Sequence, residues 1–246
     1  WSSELSKLVS NAFLAQRISS INSIAAICEA TEASVSEVSD AVGRDSRIGR
    51  KFLNAGVGFG GSCFRKDILN LVYLCEYHGL EEVAEYWRQV VAINDFQMSR
   101  FVKRITKAMF NTLVDKKIAL FGFAFKPDTG DTRDAPALQI TLGLLEEKAK
   151  LCITDPHALP NAKLDLKGCE GTVDFEEDPY KAAEGSHAIA LVTEWSCYKD
   201  LDFKKIYDSM EKPAFIFDGR NLLDHKELFE MGFNVYPLGK PDLKHF

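Results

Sequence analysis

Residues 116–155 read KKIALFGFAFKPDTGDTRDAPALQITLGLLEEKAKLCITD, and this stretch decides the fold of the second half of the chain. Its first part, 116–122, is a short apolar run that ends in glycine. Residues 135–148 have the apolar spacing of a helix, and 151–154 form a second apolar run before Asp155. A strand, a helix and a second strand in this order form a βαβ unit, which builds parallel sheet.

Further apolar runs continue the alternation at 172–175, 187–193, 214–218 and 233–236, with helical stretches between most of them. Alternation of this kind predicts a doubly wound parallel sheet of the Rossmann-like type, in which ligands bind at the carboxyl ends of the strands.

Basic residues are expected at that edge of the sheet. Lys126 and Arg133 follow the first predicted strand, and Arg220 follows the fifth. Such side chains can hold phosphate groups, and guanidinium groups fork onto phosphate oxygens. The alternative for each is an ordinary solvated surface cation.

The first 113 residues have a helical pattern instead, over 4–30, 34–42, 64–77 and 80–113. The last of these is unusually long, and its aromatic residues exceed what one small domain would bury, so it is a spine helix, a dimer contact or both. We therefore predict an α/β protein with two domains: an all-helical domain at 1–113 and a doubly wound parallel-sheet domain at 114–246.

A glycine-rich segment precedes the third helix. Residues 47–67 read RIGRKFLNAGVGFGGSCFRKD, with four glycines within six residues and Cys63 immediately before the helical run. Backbone N–H groups at a helix N-terminus stabilise a thiolate and bound anions, and glycines let the backbone approach a ligand. Cys63 is therefore a candidate nucleophile. The alternative is a buried core cysteine beside a surface loop.

Three polar residues are placed to assist that cysteine. Asp67 lies one helical turn beyond Cys63 and can return to the same face. Lys7 and Asn11 are one turn apart on an otherwise apolar row of the first helix. They either face a polar ligand or lie at the edge of the apolar row.

The same glycines invite a second interpretation, because Gly56, Gly58 and Gly61 have the spacing of a dinucleotide fingerprint. That fingerprint requires a hydrophobic strand just before it, whereas residues 47–54 are largely basic and polar. The context therefore disfavours a dinucleotide site in this loop.

Composition limits the class of protein. The chain has 246 residues, 46% of them hydrophobic, and a net charge of −6, which indicates a globular protein and argues against nucleic acid as its main partner. It contains no apolar run long enough to span a membrane. The six cysteines have neither metal-binding nor redox spacing and are expected to be reduced thiols of a cytoplasmic protein. Because the helical pattern starts at Trp1, we expect a longer protein.

Several sequence blocks together resemble the UDP-glucose 6-dehydrogenases of the UDP-glucose/GDP-mannose dehydrogenase family. The blocks are 1–7, 11–22, 58–64, 122–133, 193–195 and 215–220. The resemblance implies an enzyme that oxidises UDP-glucose to UDP-glucuronate with NAD, built from an NAD-binding domain, a helical middle and a UDP-binding domain. This chain matches the last two parts, so the resemblance also implies a fragment that is inactive alone.

The resemblance assigns roles to the catalytic candidates. Cys63 would attack the C6 aldehyde to give a thiohemiacetal and later a thioester, which water hydrolyses. Lys7 would stabilise oxyanions, Asn11 would orient the reacting oxygen, and Asp67 would assist water or proton transfer. No metal is implied.

It also implies the binding residues. For the nucleotide sugar they are Arg47, Phe52, Leu53, Asn54, Gly58, Phe59, Gly60, Phe125, Lys126 and Arg220. Arg47 would reach across a dimer interface into the neighbouring site, and Asn54 stands where related enzymes can carry lysine. Arg133 and Lys66 would contact NAD.

The implied assembly is a homodimer through the helix at 80–113, with a hexamer as the larger alternative. Two other functions stay open: a dehydrogenase of another nucleotide sugar, and a non-catalytic module for nucleotide-sugar binding and dimerisation.

Overall fold

The structure is a computed structural model that describes residues 1–246. Four helices come first: α1 (Ser2–Thr31), α2 (Val35–Gly43), α3 (Phe64–Tyr77) and α4 (Glu81–Ala108). Strands and helices then alternate: β1 (Lys117–Phe121), α5 (Pro136–Glu146), β2 (Lys150–Thr154), α6 (Leu159–Asp165), β3 (Thr172–Phe175), α7 (Pro179–Ala183), β4 (Ala188–Leu191), α8 (Phe203–Ser209), β5 (Phe215–Asp218), α9 (His225–Met231) and β6 (Asn234–Pro237), with a 3-10 turn at Ser196–Tyr198.

The six strands form one parallel sheet in the order β3-β2-β1-β4-β5-β6. This confirms the predicted doubly wound sheet. Strands β4, β5 and β6 are buried along their whole length, because nearly all of their residues are apolar on both faces and helices cover both sides. The winding reverses between β1 and β4, so a crevice opens at the carboxyl ends of those strands.

The helical half is a packed group of α1, α3 and α4. Ala12 and Ala15 of α1 are fully buried and let the helices approach closely, with Ile68 and Trp87 filling the space between them. Within this core the Ser19 hydroxyl donates to the Val90 carbonyl at 2.7 Å. None of the helices combines the length and hydropathy that crossing a bilayer requires.

Helix α4 contributes to two cores. Trp87 and Val90 lie in the core of the helical half, whereas Phe101 and Ile105 lie in the large core around the sheet. The helix ends at Ala108, earlier than the predicted 113, because the chain turns sharply through left-handed residues just beyond it, Phe110 among them (φ 64°). The domain boundary at 113 stays a prediction.

A charge network joins the end of α1 to the segment after β6. Glu29 pairs with Arg100 and accepts from Arg104 at 2.9 Å and from the Gly239 amide at 2.7 Å. Arg104 also donates to the Pro237 carbonyl at 2.8 Å. The side chains of Glu29 and Arg104 are only 15% exposed, so the network fixes the C-terminal segment against the helices.

Replacing Glu29 with alanine should lower the free energy of unfolding by about 3 kcal/mol, because two largely buried guanidinium groups lose their shared carboxylate. Urea unfolding followed by circular dichroism measures the change. The control is Glu230→Ala, since the Lys226–Glu230 pair spans 3.9 Å between exposed side chains. It should cost at most about 0.5 kcal/mol. Equal losses in both variants would contradict a structural role for the network.

Candidate active site

A cleft of about 870 Å³ lies between the helical half and the carboxyl edge of the sheet. Eight of the ten predicted substrate residues line it: Phe52, Asn54, Gly58, Phe59, Gly60, Phe125, Lys126 and Arg220. The cleft thus brings together residues from the glycine segment, from the loop after β1 and from the turn after β5. Those segments lie far apart in the sequence.

Buried amide side chains hold the glycine segment in place. The Gly56 amide donates to Asn22 at 2.9 Å, and Gln97 donates to the Gly56 carbonyl at 2.7 Å. Asn94 accepts from the Phe59 amide at 2.8 Å and donates to the Phe59 carbonyl at 3.1 Å. The segment has no strand beside it, so these three amides satisfy backbone groups that would otherwise be buried without partners.

Two glycines allow the segment to touch the loop after β1. A Cβ on Gly60 would lie 2.4 Å from the Asp134 carbonyl oxygen, and one on Gly61 would lie 2.9 Å from the Phe125 ring. Gly61 also has a φ of 86°, and its amide donates to the Arg133 carbonyl at 2.9 Å. Any side chain at either position would push the two walls of the cleft apart.

Cys63 caps the N-terminus of α3 and is exposed. Its sulfur lies 3.7 Å from the Ser62 hydroxyl. The exposed thiol excludes the alternative of a buried core cysteine. Whether the thiol is a nucleophile stays a prediction.

The three polar residues that were predicted to assist Cys63 come together one helical turn from it. They are Asp67, Asn11 and Lys7. Asp67 is 6% exposed, and its Oδ2 accepts from Asn11 at 2.6 Å. The ammonium nitrogen of Lys7 lies 3.7 Å from the same oxygen, and its side chain is 74% exposed. The structure therefore joins α1 and α3 through a polar cluster that holds one carboxylate between an amide and a cation.

The two predicted cofactor residues are exposed near Cys63. Arg133 forms an ion pair with Asp131 at 2.6 Å, and its side chain is 69% exposed. That hydrogen-bonded pairing raises the pKa of Arg133, and the charge that Cys63 can carry adds to the same shift. Lys66 lies in the first turn of α3. Both cations can therefore meet an anionic ligand that approaches the thiol from solvent.

Hydrogen bonding fixes Arg220 in the sheet-edge wall, the side of the cleft that the carboxyl edge of the sheet forms. Its Nε donates to the Val192 carbonyl at 2.8 Å, and the side chain is only 14% exposed. A Cβ on Gly56 would lie 2.7 Å from Nη1 of this arginine, so the missing side chain at Gly56 makes room for the guanidinium. Lys126 also lines the cleft, and its ammonium nitrogen lies 5.4 Å from the Phe125 ring centroid. The pair presents positive charge to the cleft.

Two predicted substrate residues lie outside the cleft. Leu53 is 8% exposed and packs into the large core, because its side chain points away from those of Phe52 and Asn54. Arg47 is 88% exposed and forms an ion pair with Asp45 at 2.6 Å on the outer surface. Neither residue lines the cleft of its own chain, and their substrate roles stay predictions.

The cleft also contains residues that the sequence did not indicate, namely Ser36, Ser39, Asp40, Arg50, Glu194 and Asn221. Arg50 pairs with Asp40 at 2.5 Å. Arg50 lies inside the glycine-rich segment 47–67. Its positive charge could have identified it, from the sequence, as a candidate for binding an anionic ligand. Glu194 lies inside the resembling block 193–195 and Asn221 directly follows the block 215–220, but only the folded sheet edge brings them together.

The Asp155 carboxylate is hydrogen-bonded entirely within the chain. It follows β2, where such sheets place the acidic residue that binds the adenosine ribose. Here its Oδ2 accepts from the Phe123 amide at 2.6 Å and from the Trp195 indole at 3.0 Å, and its Oδ1 accepts from the His157 amide at 2.8 Å. The carboxylate is therefore occupied by the chain and shapes the loop that carries Phe125.

Family comparisons match both halves of the chain. The model of the UDP-glucose/GDP-mannose dehydrogenase family, central domain, matches residues 1–96, and that of the same family's UDP binding domain matches residues 119–225. UDP-glucose 6-dehydrogenase 5 of Oryza sativa subsp. japonica is 56% identical, and UDP-glucose 6-dehydrogenase 2 of Arabidopsis thaliana is 55% identical. Each alignment covers 98% of this chain and 54% of the relative. The chain thus spans about half the length of the curated relatives it matches.

Solved structures share the fold. A UDP-glucose dehydrogenase from the archaeon Pyrobaculum islandicum superimposes with a TM-score of 0.82 at 31% identity, over 97% of this chain and 51% of that one. An NDP-N-acetyl-D-galactosaminuronic acid dehydrogenase from Methanosarcina mazei Go1 has the same TM-score at 23% identity, over 97% of this chain and 51% of that one, and shows the fold alone.

Replacing Asn94 with alanine should release the Phe59 amide, because its acceptor is lost in a buried position. We expect hydrogen exchange at the Phe59 amide to accelerate by about tenfold or more, as removal of such a bond costs about 1–3 kcal/mol. Amide exchange followed by NMR measures it. Gln89→Ala, an exposed change on the same helix, should leave that rate unaltered. Unchanged exchange in Asn94→Ala would contradict the anchoring role.

Proposed function

The chain belongs to the UDP-glucose/GDP-mannose dehydrogenase family, and from this premise we propose that it supplies the substrate cleft and the nucleophile of an NAD-dependent oxidation of UDP-glucose to UDP-glucuronate. The observation that carries the proposal is the exposed thiol of Cys63 at a helix N-terminus, beside the Asp67 cluster and the cationic cleft. The names of the relatives at 55–56% identity favour UDP-glucose over other nucleotide sugars.

The cleft has the charges that a nucleoside diphosphate needs. Arg220 and Lys126 face it from the sheet edge, and both can donate hydrogen bonds to phosphate oxygens. The glycine segment brings its backbone close to the ligand from the opposite wall. We place the diphosphate between these walls, with the hexose directed toward Cys63.

Cys63 then acts as a covalent catalyst. Its thiolate adds to the C6 aldehyde of the oxidised sugar, forming a carbon–sulfur bond while the carbonyl electrons move to oxygen. Lys7 and Asn11 stabilise that oxyanion by charge and hydrogen bonding. NAD+, when bound, supplies the hydride acceptor for the oxidation of the alcohol and for that of the thiohemiacetal.

Hydrolysis completes the reaction. Water attacks the thioester carbon, Asp67 accepts a proton from that water, and the carbon–sulfur bond breaks to return the Cys63 thiolate. The aldehyde is never released, because it stays bonded to sulfur between the two oxidations. In this scheme Arg133 and Lys66 fit the NAD pyrophosphate, since both are exposed cations on the side of Cys63.

We further propose a homodimer through the 80–113 region in the cytoplasm. Val83, Tyr86 and Phe96 of α4 are large apolar residues that are 43–54% exposed, and Phe13 stacks on Trp87 at the same surface with 5.7 Å between ring centroids. A second copy would cover this apolar surface. Arg47, which lies outside its own cleft, is available to a neighbouring site.

The nucleophile can be tested on this chain with the 6-aldehyde of UDP-glucose. Calorimetry should show that the aldehyde binds about tenfold or more tightly than UDP-glucose, because it gains a carbon–sulfur bond. Cys63→Ser should remove that difference and leave UDP-glucose affinity unchanged. Cys197→Ser, which alters the other exposed cysteine, is the control and should keep the difference.

Retention of the aldehyde preference by Cys63→Ser would refute the covalent role. Failure of UDP-glucose to bind the unaltered chain would refute the cleft assignment. If GDP-mannose or a UDP-N-acetyl sugar binds more tightly than UDP-glucose, the proposed substrate is wrong and the better ligand replaces it.

Sedimentation equilibrium at micromolar concentration tests the dimer. The unaltered chain should sediment as a dimer, and Tyr86→Arg should be monomeric because it places a charge in the proposed interface. Leu164→Arg is the matched control, as Leu164 is 70% exposed on the sheet half, and it should stay dimeric. A monomeric unaltered chain would overturn the interface.

A further inference from the structure

The sheet-edge wall of the cleft contains hydrogen-bond acceptors as well as cations. Glu194 pairs with Arg220, Asn221 follows Arg220 in the chain, and all three line the cleft. Phosphate groups need donors and positive charge, so neither acceptor serves the diphosphate. A carboxylate in an anion-binding cleft costs binding energy unless it contacts another part of the ligand.

Glu194 has a charge partner but no hydrogen-bond donor. Its Oε2 lies 3.0 Å from Arg220 Nε, yet the single hydrogen on that nitrogen is directed to the Val192 carbonyl. Oε2 is therefore buried without a hydrogen bond, even though the ion pair holds it in place. The side chain as a whole is 40% exposed, and its exposed part faces the cleft.

Asn221, the residue after Arg220, repeats the pattern. Its Nδ2 donates to the Leu238 carbonyl at 2.8 Å, which fixes the amide plane, and its Oδ1 is buried with no donor. Buried acceptors are almost always satisfied in folded proteins. Both oxygens are shielded from solvent, so a ligand that brings hydrogen-bond donors would meet the exposed part of the Glu194 carboxylate beside them.

The position of Glu194 points to the end of the cleft near Cys63. Its neighbour Thr193 donates to the Ala124 carbonyl at 2.7 Å, so the chain at Glu194 is bonded to the loop that carries Phe125, and both residues line the cleft. The ring of Phe125 abuts Gly61, two residues before the cysteine. The hexose of a nucleotide sugar would occupy this end.

We propose that Glu194 accepts a hydrogen bond from a ring hydroxyl of the hexose of the bound nucleotide sugar. This inference rests on the proposed function. Hexose hydroxyls are donors that a nucleoside diphosphate lacks at this end of the cleft, and Arg220 pre-orients the carboxylate that receives one. Glu194 is thus a binding residue for the sugar, separate from the cations that hold the phosphates.

Calorimetry of UDP and UDP-glucose with Glu194→Ala tests the inference, with Asp40→Ala as the matched control. Both changes remove one arginine-paired carboxylate from the cleft, so both should strengthen the binding of an anion by a similar factor. Only Glu194→Ala should lower the ratio of UDP-glucose affinity to UDP affinity, by about tenfold, as expected for a lost hydrogen bond to a charged group. The isosteric Glu194→Gln, which keeps the shape and one acceptor oxygen, should lower the ratio less.

The outcomes separate the two proposals. If UDP binds the unaltered chain and Glu194→Ala leaves the affinity ratio unchanged, the inference is wrong and the proposed function stands. If Glu194→Ala weakens UDP and UDP-glucose equally, but not the 2′-deoxy form of UDP, the acceptor serves the ribose and the hexose assignment is wrong. If the unaltered chain binds neither ligand, the proposed function fails and this inference with it.

Discussion

The shape of the cleft depends on one close contact, in which the backbone of the glycine segment packs directly against the loop after β1. Gly60 and Gly61 meet the loop after β1 at distances that leave no room for a side chain, and that contact holds the segment just before Cys63 against this loop. The approach is possible because Asn94 and Gln97 supply the hydrogen bonds that a neighbouring strand would otherwise give. The glycines thus make the close approach possible, and the buried side-chain amides satisfy the hydrogen bonds of the backbone.

Charge in the cleft is arranged in pairs. Arg50 is held by Asp40 and Arg220 by Glu194, so each guanidinium keeps a fixed position before a ligand arrives. Lys126 stands without an ion pair and remains a full positive charge at the sheet edge. Preorganised groups lose less freedom when a ligand binds, which favours selectivity for a ligand that matches their geometry.

The sequence predicted the sheet well because continuous apolar runs between helices have few other interpretations. It also placed Lys7 and Asn11 on one face of α1, since helical spacing is local. It could not predict the anchoring amides: Asn94 and Gln97 look like ordinary polar helix positions, and only the packed glycine segment makes them necessary. The early end of α4 was missed because left-handed residues such as Phe110 give no compositional signal.

Helix α4 is shared by both walls of the cleft. Trp87 is packed in the helical half and Phe101 under the sheet, with no break in the helix between them. Hinged proteins open where a few loop residues absorb the rotation, and no such joint exists along this helix. Because both walls pack against one continuous helix, the shape of the cleft is set by the fold itself, and a ligand is selected by its fit to that shape.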